Sequence, residues 1–98
     1  MPSDANSLEK VRAILPEITS HKMMGEYLLY MEGKLFGGIY DDRLLIKLTK
    51  ASTTLLKGYP SAFPYEGGGE MIHFTEPYDA FQLRRVVMAM LPELKTRE

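Results

Sequence analysis

A two-layer α+β domain, with an antiparallel sheet and helices gathered on one face, is the fold class this 98-residue sequence predicts. Three observations carry it. Apolar residues at helical spacing are confined to the two ends and one short middle segment. Between them, "KMMGEYLLYM", "KLFGGIY" and "LLIKL" read as strands joined by turn residues. Further on, "AFPY" and "MIHFT" flank three glycines like the arms of another hairpin. The element order is then α-β-β-β-α-β-β-α, with five strands in one domain over residues 1–98.

The first helix follows from Leu8, Val11, Ile14 and Leu15, which recur at i, i+3, i+6 and i+7 and so share one face. Asn6 and Glu9 have the spacing of a capping box, and Pro16 removes a donor and stops the helix. From residue 23 the pattern turns to strands. Gly33 supplies the positive φ of a tight hairpin turn, and Asp41-Asp42-Arg43 turns the chain again. Thr49 caps a short helix over residues 50–57, which Gly58 ends.

The segment "PYEGGGEM" raises a choice between a phosphate cradle and a turn. A phosphate-binding glycine loop must feed a helix N-terminus, where free N–H groups and the positive dipole end lie. Here a strand-forming run follows, no Gly-Lys-Ser or Gly-Lys-Thr is present, and Glu66 and Glu70 would repel a phosphate. The glycines predict a hairpin connection.

The last helix is expected over residues 78 to 91, with Pro77 near its first position and Glu76 and Asp79 in its opening turn. Ala80, Leu83, Val87, Met90, Leu91 and Leu94 form one stripe for the sheet. Phe81 and Met88 fall on a different face, with Arg85 between them in sequence. A second apolar face needs another home, and a homodimer formed by pairing this helix with its twofold copy supplies one. Arg84, Arg85, Lys95 and Arg97 give the C-terminal end a basic bias, which suits the negative end of a helix dipole or an acidic partner.

Composition narrows the chemistry. The sequence has no cysteine, which excludes disulfides, thiolate metal sites and a cysteine nucleophile. Its formal charge of −1 offers no electrostatic footprint for nucleic acid, so no tight binding to it is expected. No apolar run approaches the roughly 20 residues a bilayer span requires, and the opening "MPSDANSLEK" lacks a secretory pattern, so a cytoplasmic location is expected. His21 and His73 are isolated from each other and from a ligand set, and no serine lies in a G-x-S-x-G elbow. No catalytic residue, metal or cofactor is predicted.

Gly37-Gly38 inside a strand marks a bulge, a close helix, or a cleft for a ligand or partner strand. Tyr27 and Tyr40, with Tyr30 and Tyr65, are placed to frame such a cleft. A small-ligand-binding domain or an enzyme using that cleft is the alternative to a protein-contact domain.

With the strands in place, "KMMGEYLLYMEGKLFGGIYDDRLLIKLTKAS" resembles the N-terminal domain of the TfoX/Sxy family, bacterial proteins named for regulating competence for DNA uptake. The carrying residues are Met24-Gly25-Glu26-Tyr27, Gly33-Lys34 and Gly37-Gly38-Ile39-Tyr40-Asp41-Asp42-Arg43-Leu44, continued by "FPYEGGGEM" and the final helix. His21 stands where family members commonly carry an arginine. The resemblance implies a five-stranded antiparallel sheet in an architecture similar to secretion chaperones, which often dimerise. It also implies a regulatory or adaptor role through protein partners, without the helical C-terminal domain of longer members.

Overall fold

Asp4, not Asn6, begins the first helix. In the computed structural model, which describes residues 2–96, the Asp4 carboxylate accepts the Asn6 N–H at 2.8 Å and α1 runs Ala5–Ile14. The cap lies two residues earlier than the Asn6–Glu9 spacing suggests, because Asp4 is also held by the sheet through its own N–H. Leu15 closes the helix by donating to the Val11 carbonyl, and Pro16 follows.

The sheet has six strands among the described residues, one more than expected, in the order β1-β2-β3-β4-β6-β5 and antiparallel throughout. The extra strand is β1 (Thr19–Met23), which contains His21 rather than following it. Met24 and Gly25 take positive φ values of 52° and 85°, which breaks "KMMGEYLLYM" into β1 and β2 (Glu26–Met31). Then come β3 (Lys34–Tyr40), β4 (Arg43–Ile46), α2 (Lys50–Leu55), β5 (Ser61–Ala62), β6 (Met71–His73) and α3 (Ala80–Met90).

α2 starts as its sequence indicates. Thr49 accepts from the Ser52 N–H and Ser52 answers to the Thr49 N–H, a reciprocal capping box. Glu93 adds a second clamp, its carboxylate accepting from the N–H groups of Lys50 and Ala51 at 2.8 and 3.0 Å. α3 is capped by Asp79, so Pro77 and Glu76 lie outside it, and Glu76 pairs with Lys10 instead.

Alternation assigns the two faces of the sheet. Tyr27, Ile39 and Leu44 lie in one cross-strand row, and Leu28, Gly38, Leu45 and His73 in the next. The first row joins the main core, under Leu8 and Val11 of α1 and Leu83, Val86, Val87 and Met90 of α3. Each such side chain is worth roughly 1.5–3 kcal/mol on burial, so this stripe fixes α3 on the sheet. Ala80 is exposed and not part of that stripe, because it sits at the helix start beyond the sheet-facing turn. The second row faces away from the helices, which leaves one side of the sheet without a helical cover.

A bulge marks the middle of the sheet. Leu29 opposes Gly37 while Tyr30 opposes Leu35, so Phe36 is the extra residue and turns its ring into the core. Beside it the strands approach closely. A Cβ on Gly37 would lie 2.2 Å from the Leu45 carbonyl oxygen, and one on Gly38 would lie 2.7 Å from both the Tyr27 carbonyl oxygen and the Tyr40 ring.

Candidate functional site

Two exposed surfaces stand out, one on each layer. The first is the outer side of α3. Phe81 is 79% exposed and Met88 41%, seven residues apart and opposite the buried stripe of Leu83, Val87 and Met90. Arg85 lies between them and, among the described residues, makes no hydrogen bond or ion pair. Its neighbour Arg84 is fully committed. Arg84 forks onto both oxygens of Glu17 at 2.6 and 2.8 Å and also donates to the Ile14 carbonyl, tying α3 to the end of α1. That guanidinium holds the Glu17 carboxyl down at about 2. Two adjacent arginines thus do different work. Lys95, the next of the basic residues, is exposed, and Arg97 lies outside the described residues.

The second surface is the open face of the sheet, where the loop of residues 63–70 folds over β3 and β2. Arg43 anchors this loop, donating through Nε to the Tyr40 carbonyl at 3.2 Å and through Nη2 to the Phe63 carbonyl at 3.1 Å. The three glycines then play separate parts. Gly67 takes φ +85°, Gly68 donates its N–H to the Tyr65 carbonyl at 3.0 Å, and Gly69 meets nothing within 4 Å of a built Cβ. A Cβ on Gly68 would lie 2.9 Å from the Pro64 ring and 3.0 Å from the Tyr65 ring, so a side chain there would press on both. β5 and β6 pair on either side, as a hairpin connection requires.

Between this loop and the β1–β2 turn lies a cleft of about 410 Å³, lined by Met23, Met24, Leu28, Tyr40, Pro64 and Tyr65 with Glu26. The rings of Tyr40 and Tyr65 stand 6.3 Å apart with planes at 61°. Burial pushes the Tyr40 phenol above its ordinary value, and Tyr65, Glu26 and Tyr30 add to this. Gly37 and Gly38 and the tyrosines expected to frame a cleft beside them are therefore divided. Gly38 and Tyr40 belong to the open face. Gly37 and Tyr27 belong to the helix-covered rows, and Tyr27 is buried in the core. Tyr30 reaches a separate depression beside Leu35 and Lys47. What the sequence reading missed is the contribution of Met23, Met24 and Pro64. The available signal was an apolar Met-Met pair immediately before a glycine, which reads as strand interior until the turn is seen.

His73 sits in the outward row beside Leu45, and burial followed by Arg43 lowers its pKa. Among the described residues no group of three or more His, Cys, Asp or Glu is placed to hold a metal ion. No helix among them is long and apolar enough to cross a membrane.

The fold and these surfaces define a small α+β domain that presents apolar side chains to solvent from both of its layers. The chain belongs to the TfoX N-terminal domain family, whose profile matches residues 9–86. That match takes in the glycine loop, Phe81 and Arg85 and ends before Met88. The chain is 35% identical over 81 residues to the "Uncharacterized 12.7 kDa protein in trpE 5'region" of Spirochaeta aurantia, covering 79% of this chain and 70% of that protein. No solved structure matches it.

Proposed function

We propose that this protein is a cytoplasmic regulatory or adaptor domain that acts through protein contacts, in keeping with a family named for competence regulators. The observation that supports the reading is the outer side of α3. Phe81 projects into solvent beside Met88, on a helix whose other side already fills the core. Burying two such side chains from each of two subunits is worth a few kcal/mol per subunit, enough to anchor a modest interface. A second copy of the chain is one partner for this surface, through a twofold pairing of α3 with itself. Nucleic acid is not the partner favoured by a formal charge of −1.

Sedimentation velocity at tens of micromolar tests the pairing. A dimer that dissociates on combining Phe81→Asp with Met88→Asp is the expected result. A wild-type monomer, or a dimer indifferent to both changes, removes α3 from the interface.

A further inference from the structure

Tyr65 is 64% exposed and yet held from several sides. Arg43 fixes the Phe63 carbonyl two residues before it, Gly68 closes a turn on the Tyr65 carbonyl, and a Cβ on Gly68 would meet the ring at 3.0 Å. Exposed aromatic side chains gain little from such placement in water, so the arrangement itself calls for an explanation in terms of what the ring meets.

The Tyr40 and Tyr65 rings make two walls of the cleft, 61° apart, and Met23, Met24, Leu28 and Pro64 complete an apolar lining. At about 410 Å³ the space suits a small molecule. Its field is negative. Glu26 borders the cleft, its carboxylate accepting from Ser3 and the Asp41 N–H, and Asp41, Glu66 and Glu70 stand around the Pro64–Tyr65 ridge. Against these four acids stand two cations, Arg43 and Lys47, so the balance of charge around the cleft is negative. Aromatic faces carry negative quadrupole potential and attract a cation set among them. An anion is disfavoured there, and a neutral apolar molecule gains burial but nothing from the field.

We propose that this cleft binds a small organic cation with an apolar body, of the quaternary ammonium class, between Tyr40 and Tyr65. The site lies on the opposite layer from α3, so its failure leaves the protein-contact reading untouched, and the reverse also holds.

The test compares choline with its neutral carbon isostere, 3,3-dimethylbutan-1-ol, which has the same shape without the charge. Binding is read from the methyl signals of Met23 and Met24 and the ring signals of Tyr40 and Tyr65 by NMR. Choline should shift these signals saturably, with an affinity about two- to fivefold above that of the isostere, the range of an exposed cation–π contact. Tyr65→Leu keeps an apolar wall but removes the π face. It should cost choline that same factor and leave the isostere unchanged. Equal affinity for the two ligands, no saturable shift at up to about 100 mM, two decades above a millimolar Kd, or a Tyr65→Leu variant that binds choline as before would each overturn the proposal.

Discussion

Asp42 Oδ1 accepts the Ser7 hydroxyl at 2.7 Å, joining the β3–β4 turn to the first turn of α1 across 35 residues of chain. The same oxygen accepts the Asp4 N–H at 2.7 Å. A carboxylate at a helix start satisfies donors that have no intrahelical partner and meets the positive end of the dipole. Behind it, Ser3 donates to Glu26 and accepts the Asp42 N–H, while Glu26 takes the Asp41 N–H. The acidic cluster is a knot that ties the N-terminal segment to the sheet.

From this follows an acid-sensitivity prediction. The Ser7 hydroxyl first, and the Asp4 N–H next, hold the Asp42 carboxyl below its ordinary value of 3.8. A group depressed in the folded state contributes stability above its unfolded pKa, and that contribution is lost as pH falls through the folded value. Asp42→Asn keeps the turn conformation and an acceptor but removes the charge. Thermal melts from neutral to acid pH should show a shallower decline for Asp42→Asn than for wild type. Equal slopes would detach Asp42 from the acid transition.

Much of this fold was legible because local chemistry and tertiary packing agree. The Thr49 cap, Pro16, the Asp41-Asp42 turn and the outward position of Phe81 and Met88 each follow from residue type and spacing. β1 was not legible, since Thr19, Ser20, His21 and Lys22 are polar and form a strand only because β2 offers its edge. The Asp4 cap was hidden for a similar reason, because its competitor Asn6 loses to a contact from Asp42 that no local pattern records. The open-face cleft depends on how residues 63–70 fold back over β3. Sequence showed the glycines there but not which one carries the Tyr65 ring.

The two neighbouring arginines give a paired prediction. Arg84→Ala removes the bidentate contact to Glu17 and the bond to the Ile14 carbonyl, so it should lower the melting temperature by several degrees. Arg85→Ala removes no contact among the described residues and should leave it unchanged at a concentration where the chain is monomeric. The Glu17 carboxyl, held at about 2 by Arg84, also contributes stability that is present above its ordinary 4.5 and lost toward pH 2. Chemical denaturation of the two variants side by side checks this, and an inverted order would mean that the α1–α3 tie is not what holds that corner.

The glycines separate by what a methyl group would meet. At Gly37 the obstruction is the Leu45 carbonyl oxygen at 2.2 Å and the Ile46 Cα at 3.2 Å, both backbone, so relief requires the strands to part. Gly37→Ala should cost about 3 kcal/mol or more, at or beyond the upper end for overpacking. Gly69 has open space around it and no positive φ. Gly69→Ala should be neutral or stabilising by up to about 1 kcal/mol, through a less flexible unfolded chain. Urea midpoints for the two single variants decide the matter, and a tolerated alanine at Gly37 would refute the close approach of β3 to β4.

Self-association through α3 carries an electrostatic signature. Phe81 and Met88 are seven residues apart, about 10 Å along the helix. In an antiparallel twofold pairing, Phe81 of one copy meets Met88 of the other, and the axis passes near Arg85. The two unpartnered guanidinium groups then approach each other at the centre of an apolar contact. Their repulsion is of the order of 1 kcal/mol at a solvated surface and is screened by salt, whereas the apolar contact is not weakened by it. Dimer affinity should therefore rise, by about threefold, between roughly 20 and roughly 500 mM sodium chloride. Arg85→Gln should tighten the dimer at low salt and flatten the dependence. An acidic partner docked on the same surface would show the opposite trend, because salt screens attraction as it does repulsion. Sedimentation across the salt series separates the two cases, and a dimer that weakens as salt rises would rule out the Arg85-centred pairing.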